Sequence, residues 1–267
     1  MLCVDDLTLS YGARTLLDHV SLAVEPGRIY GLVAPNGHGK TTLLRAMAGL
    51  PGARVAGTIS VDDLPLRSQA ARRRRVFYAP GEGTLLYPGM TARNHLKLVR
   101  DLWHPDCTLA DVARRAKIED FLDKRVRALS QGMKQQLTLA IAYMTGARYL
   151  LLDEPMNALD PTNVAFHSEI LRDLATRGTG IVMSSHILDN VDQVSDEILF
   201  VKDAGLLRYA PGGAPRTGAS VSRRGRHFAR PLSVSARFDA SPSPGLPSIG
   251  ETGERAIDIY QRLYPHR

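Results

Sequence analysis

Residues 31–44 read GLVAPNGHGKTTLL, and no other stretch constrains the fold of this chain as much. A nucleoside triphosphate needs backbone N–H groups around its phosphates, a cation near the β and γ groups, and a hydroxyl for magnesium. Gly37 and Gly39 permit the close backbone approach, Lys40 supplies the cation and Thr41 the hydroxyl, with Asn36, His38 and Thr42 in the same loop. The apolar run before the loop reads as a strand. A helix is expected from Lys40 to about Gly49, stopped by GLPG, with its positive end aimed at the anion. Ala34 stands where the pattern G-x-x-x-x-G-K-[ST] has its first glycine. An alanine costs little where φ is negative and about 1–2 kcal/mol where a left-handed conformation is forced. The loop is therefore expected to bind ATP with magnesium.

Two further segments carry chemistry. In YLLLDEP the four apolar residues predict a buried strand, so Asp153 and Glu154 emerge at its end, where a parallel sheet has its ligand crevice. An aspartate there can hold magnesium, directly or through water, and the next glutamate can polarise an attacking water. Standing alone, the pair would be a solvated acidic turn. In LSQGMKQQLTLAIA, Ser130 and Gly132 open an amphipathic helix whose terminus can bind an anion, although local chemistry alone gives only a serine helix cap.

The rest of the chain orders these pieces. CVDDLTLSYG, VSLAVEPGRIYGLVAP, GTISVDD and RVFYAP read as strands, and between Gly81 and Gly146 the spacing turns helical in TARNHLKLVRDLW, DVARRAKIEDFLDK and QGMKQQLTLAIAYMT. Strand signals return in YLLLDEP, GIVMSSH and EILFVKDAGLL, separated by helices near 162–176 and 187–194. The order predicts an α/β fold, a mixed and largely parallel sheet with flanking helices and a helical insert. Arg72 to Arg75 reads as a solvated face at a strand entrance, with a nucleic-acid patch as the alternative.

Two cysteines, Cys3 and Cys107, exclude a disulfide framework and point to a reducing compartment. No apolar run approaches the roughly 18 residues of a membrane span, and MLCVDDLTLSYG does not read as a charged-then-apolar signal peptide, so none is expected. Formal net charge is +7, but ten arginines against four acids from Leu206 onward account for six of those charges. From about Ala210 to Gly250 the chain is rich in Pro, Ser, Gly and Arg without a period, which predicts a disordered arm, and ETGERAIDIYQRLYPHR regains helical spacing, as expected of a short helix that docks back on the domain.

Together these motifs resemble the ATP-binding subunits of ABC transporters, over roughly residues 2–207. LSQGMKQQL looks like the family signature, lying shortly before YLLLDEP. The resemblance implies a P-loop NTPase core with an antiparallel β subdomain and a helical subdomain at about 82–147, then an arm at 208–250 and a short helix within 251–267. It implies that Tyr11 stacks on adenine, that Glu154 activates water, that Asp160 in NALDP is the D-loop aspartate, and that His186 in VMSSH contacts the γ-phosphate. Thr41 and Asp153 would hold Mg2+. It further implies a homodimer or heterodimer in which each ATP lies between the loop of one subunit and the signature of another. The dimer would drive a separate membrane permease from the cytoplasmic face, docked through about 78–102, with no nucleic acid as partner.

Besides Ala34, two positions depart from the family pattern. Met133 replaces the usual glutamine of the signature, and GMKQQL is similar to a variant found in exporters of drugs and peptide antibiotics, which implies export of a drug, peptide or lipid-like compound. Gly81 stands where the Q-loop glutamine belongs, so its metal contact is either lost or passes to Glu82. Gly81 and Ala34 keep open a hydrolysis-poor regulatory half of a heterodimer. The arginine-rich tail keeps open a soluble ABC-type ATPase acting on nucleic acid or the ribosome, but only about 90 residues without sustained heptads separate loop and signature.

Overall fold

In LCVDDLTLSY, alternation buries Leu2 and Val4 and then Leu7 and Leu9 of strand β1 (Leu2–Tyr11). Strict alternation would bring Asp6 inward. Asp6 instead takes a left-handed φ of 50°, the register shifts between Val4 and Leu7, and the apolar face is restored. β1 pairs antiparallel with β2 (Arg14–Val24) and β4 (Arg54–Val61), and β5 (Leu64–Pro65) completes the order β2-β1-β4-β5. The structure, a computed structural model, describes residues 1–66, 68, 74–81, 84–186, 188–211, 247–249 and 254–265. Glu82, Arg72, Arg73 and nearly all of the proposed 208–250 arm lie outside the described residues.

The second sheet contains β3 (Ile29–Val33), β6 (Val76–Ala79), β7 (Tyr149–Leu152), β8 (Gly180–Ser185), β9 (Glu197–Lys202) and β10 (Gly205–Tyr209), in the order β10-β9-β3-β8-β7-β6. All its pairings are parallel except β9 with β10. β3, β7 and β8 are buried at every position, as expected of largely apolar strands covered on both faces. Tyr30, Leu32, Tyr149 and Leu151 pack toward the antiparallel sheet and helix α1 (Lys40–Met47), which follows the phosphate loop. Ile29, Val33, Leu150 and Leu152 face the remaining helices.

Between β6 and β7 run α2 (Ala92–Trp103), α3 (Leu109–Arg115) and α4 (Gln131–Thr145), capped by Thr91, Thr108 and Ser130, whose hydroxyls accept from Asn94, Asp111 and Met133 N–H at 3.1, 3.2 and 3.2 Å. The helical spacing of residues 111–124 does not run as one helix. α3 stops at Arg115, Lys117 takes a φ of 53°, and one tight turn follows at Glu119–Phe121. On a continuous helix Ile118 would lie about 240° around the axis from Val112. Both are buried in one core, and the break at Lys117 brings them to it.

α5 (Pro161–Thr176) and α6 (Leu188–Val194) connect the later strands. Pro247–Ile249 lies along β10: Arg208 N–H donates to the Pro247 carbonyl at 2.9 Å, and Ile249 N–H to the Arg208 carbonyl at 2.8 Å. This covers part of an otherwise open sheet edge. α7 (Ala256–Leu263) follows, with Ala256 and Ile259 fully buried in the helix-side core.

Candidate functional site

β3, β7 and β8 are parallel neighbours, so their carboxyl ends open on one side of the sheet. After β3, Ala34 and Pro35 remain buried while Asn36 and Gly37 are exposed. Gly37 and Gly39 hold φ of 79° and 95°, a region side chains resist, and Gly39 caps α1. Ala34 keeps a negative φ, so its methyl group is unstrained there. Its carbonyl accepts from Lys40 Nζ at 2.6 Å. Lys40 is buried, which pulls its pKa below the ordinary lysine value, while Glu154 and Asp153 work the other way.

The carboxylate cluster comes from β7. Asp153 Oδ1 accepts from Ser184 Oγ at 2.6 Å and Oδ2 from the Tyr78 hydroxyl at 3.2 Å. Burial, reinforced by Asp153, raises the Tyr78 pKa and keeps that phenol a donor. Ser184 Oγ in turn accepts the Glu154 N–H at 2.9 Å, fixing a residue whose φ is 49°. Glu154 thus turns back toward the loop. Its Oε1 lies 3.9 Å from Lys40 Nζ and its Oε2 lies 2.7 Å from His186 Nδ1.

A cavity of about 400 Å³ is lined by Tyr11, Asn36, Gly37, Gly39, Lys40, Thr41, Thr42 and Glu154, together with Arg14 and Leu16. A larger, mostly apolar hollow of about 640 Å³ lies apart from this chemistry, beyond α1, against Leu50, Val55 and Ile59. His38 does not line the smaller cavity; its Nδ1 lies 3.2 Å from the Asn36 carbonyl. Ser130 and Gly132 do not line it either, and Gly132 lies against the loop after β7. A Cβ on Gly132 would stand 2.9 Å from the Ala158 carbonyl, and Gln135 Nε2 donates to the Pro155 carbonyl at 2.8 Å. Asp160 caps α5 by accepting the Asn163 N–H at 3.0 Å, a bond that lowers its pKa.

Thr41 and Asp153 offer hydroxyl and carboxylate oxygens, the hard donors magnesium takes from protein alongside phosphate and water. The donor set fits that ion. At Gly81 a Cβ would stand 3.1 Å from the Asp153 carbonyl, so a larger residue there would crowd the carboxylate strand.

Three participants were not found from sequence. Arg14 Nη2 donates to the Gly37 carbonyl at 3.1 Å, and Ser184 and Tyr78 hold Asp153. Two serines closing the otherwise apolar strand GIVMSS were the available signal for Ser184.

Residues 17–157 match the protein family described as ABC transporter. The chain belongs to the ABC transporter family. It is similar to the lantibiotic transport ATP-binding protein SrtF of Streptococcus pyogenes, 31% identical over 208 residues that cover 78% of this chain and 89% of that protein. The Nod factor export ATP-binding protein I of Paraburkholderia xenovorans is 34% identical over 218 residues, 79% of this chain and 70% of that one. Among solved structures, an ATP-binding subunit of an ABC transporter superposes with a TM-score of 0.70 at 27% identity, covering 77% of this chain and 88% of that chain. A dimeric ATP-binding cassette in a post-hydrolysis state with ADP and Pi shares the fold, with a TM-score of 0.69 at 20% identity and 77% and 96% coverage. This ABC protein is accordingly an ATP-binding subunit and an ATPase of that type. Among the described residues, no helix is long and apolar enough to cross a membrane.

Proposed function

We propose that this ABC ATPase powers a separate membrane permease for export of a peptide or lipid-like compound, working as a nucleotide-closed dimer at the cytoplasmic face of the membrane. The observation that carries its chemistry is Glu154, held between Lys40 and His186 at the mouth of the phosphate cavity. Tyr11 stacks on adenine at the exposed rim. Backbone N–H groups from Asn36 to Thr42 surround the phosphates, and Lys40 exchanges the Ala34 carbonyl for phosphate oxygens. Thr41 and Asp153 hold magnesium, which when bound neutralises phosphate charge. Glu154 orients a water for in-line attack on the γ-phosphorus and takes its proton as the bond to the β-phosphate oxygen breaks and ADP leaves. His186 keeps Glu154 in place and contacts the γ-phosphate.

Ser130, Gly132 and Asp160 lie away from this cavity in their own chain, which suits a second subunit supplying the signature across the dimer. Export draws support from the names of the lantibiotic and Nod factor relatives. Docking on a permease draws support from Tyr87, Leu98 and Leu102, apolar side chains 62, 39 and 63% exposed on and just before α2. Gly81, which has no side chain to take the place of the Q-loop glutamine, favours a second reading, in which this subunit hydrolyses slowly beside a more active relative.

Replacement Glu154→Gln separates the two. It should slow ATP turnover by about 100-fold or more, retain nucleotide binding, and give an ATP-dependent dimer by light scattering. Equal, slow turnover by wild type and variant would favour the regulatory subunit.

A further inference from the structure

The phosphate loop makes a contact that nucleotide chemistry does not explain. The His38 ring, flanked by Gly37 and Gly39, meets Tyr264 edge-on, with ring centroids 6.2 Å apart and planes at 78°. Tyr264 is only 9% exposed and is held firmly. Its hydroxyl donates to the Val201 carbonyl at the end of β9, the Tyr260 ring lies 4.7 Å away, and Lys202 Nζ stands 5.7 Å from its centroid while donating to the Leu263 carbonyl. Behind it, Ala256 and Ile259 anchor α7 in the core. A fixed aromatic edge therefore stands beside a loop residue with glycine on both sides.

We propose that Tyr264 is a positioning residue for the phosphate loop: packed on His38, it holds residues 37–39 in their phosphate-binding shape and makes the C-terminal helix a determinant of ATP affinity. This rests on the loop being the ATP site. The glycines let the peptide units around His38 rotate, whereas phosphate binding needs their N–H groups to converge. Restricting the loop beforehand lowers the order that must be gained on binding. Glu154 and His186 stand outside the contact, so the effect falls on affinity rather than on the hydrolytic step.

The test uses the full chain, with titration of a fluorescent ATP analogue in magnesium and steady-state ATPase kinetics. Tyr264→Ala should weaken binding and raise KM about 2- to 10-fold, the range an aromatic pair supports, with kcat altered less than about twofold. Tyr264→Phe keeps the ring and should bind within about twofold of wild type. His38→Ala alters only the loop side, leaves α7 anchored, and should match Tyr264→Ala, with the double variant no weaker than either single one. The inference is overturned if Tyr264→Ala or His38→Ala binds like wild type, if Tyr264→Phe is as weak as Tyr264→Ala, or if the two alanine effects add. Failure of the wild type to bind any nucleotide is a different result, which would overturn the ATP site and this inference with it.

Discussion

Ala34 illustrates how little a single side chain can matter when the backbone supplies the chemistry. Its φ is negative, its methyl group is buried, and its carbonyl meets Lys40. Ala34→Gly should leave ATP affinity within about twofold. It should lower unfolding free energy by about 0.5–1 kcal/mol through added chain freedom, read by urea denaturation. Lys40, Thr41, Asp153 and Glu154 were legible in the sequence because each stands in a short motif whose spacing states its chemistry. Arg14, Ser184 and Tyr78 were not, because they reach partners 23, 31 and 75 residues away. No local pattern encodes such meetings; they depend on strand order.

Among the elements, the α4–α5 contact holds a titratable group that catalysis does not use. His167 on α5 is fully buried, its Nδ1 lies 3.0 Å from the Tyr143 hydroxyl of α4, and its Nε2 has no partner among the described residues. Burial, with Lys117 nearby, pushes its pKa down to about 4. The unfolded chain takes up this proton near pH 6.5, as a free histidine does. The stability from burying neutral His167 is therefore complete above about pH 6.5 and declines by about 1.4 kcal/mol per unit as pH falls toward about 4, where the loss levels off. His167→Gln should lose about 2 kcal/mol less than wild type between pH 7.5 and 5.0, measured by urea unfolding at each pH. Elements such as β7 and α4 were readable because their apolar spacing is sustained. The break after α3 was not, because Ile118 and Val112 each fit a helical stripe and only their shared core shows that the stripes must be rotated.

At the scale of the whole molecule, the α/β fold with its inserted helices followed from the order of the strand and helix signals, and its antiparallel sheet from the family resemblance. A C-terminal helix docking back on the domain was also readable from its helical spacing, but its contact with His38 was not, since that depends on where the chain returns. The central place of β3 also sets a schedule for synthesis. Ile29 pairs with Ile181 and Tyr30 with Glu197, so the strand that launches the phosphate loop leaves the ribosome long before either neighbour exists. At roughly 5–20 residues per second, that interval lasts roughly 8–30 seconds. Nascent chains halted before Gly180 should therefore fail to bind a fluorescent ATP analogue, and binding should emerge once β8 and β9 clear the exit tunnel. For that interval the most recognisable motif in the chain is present but has no sheet to fix its shape.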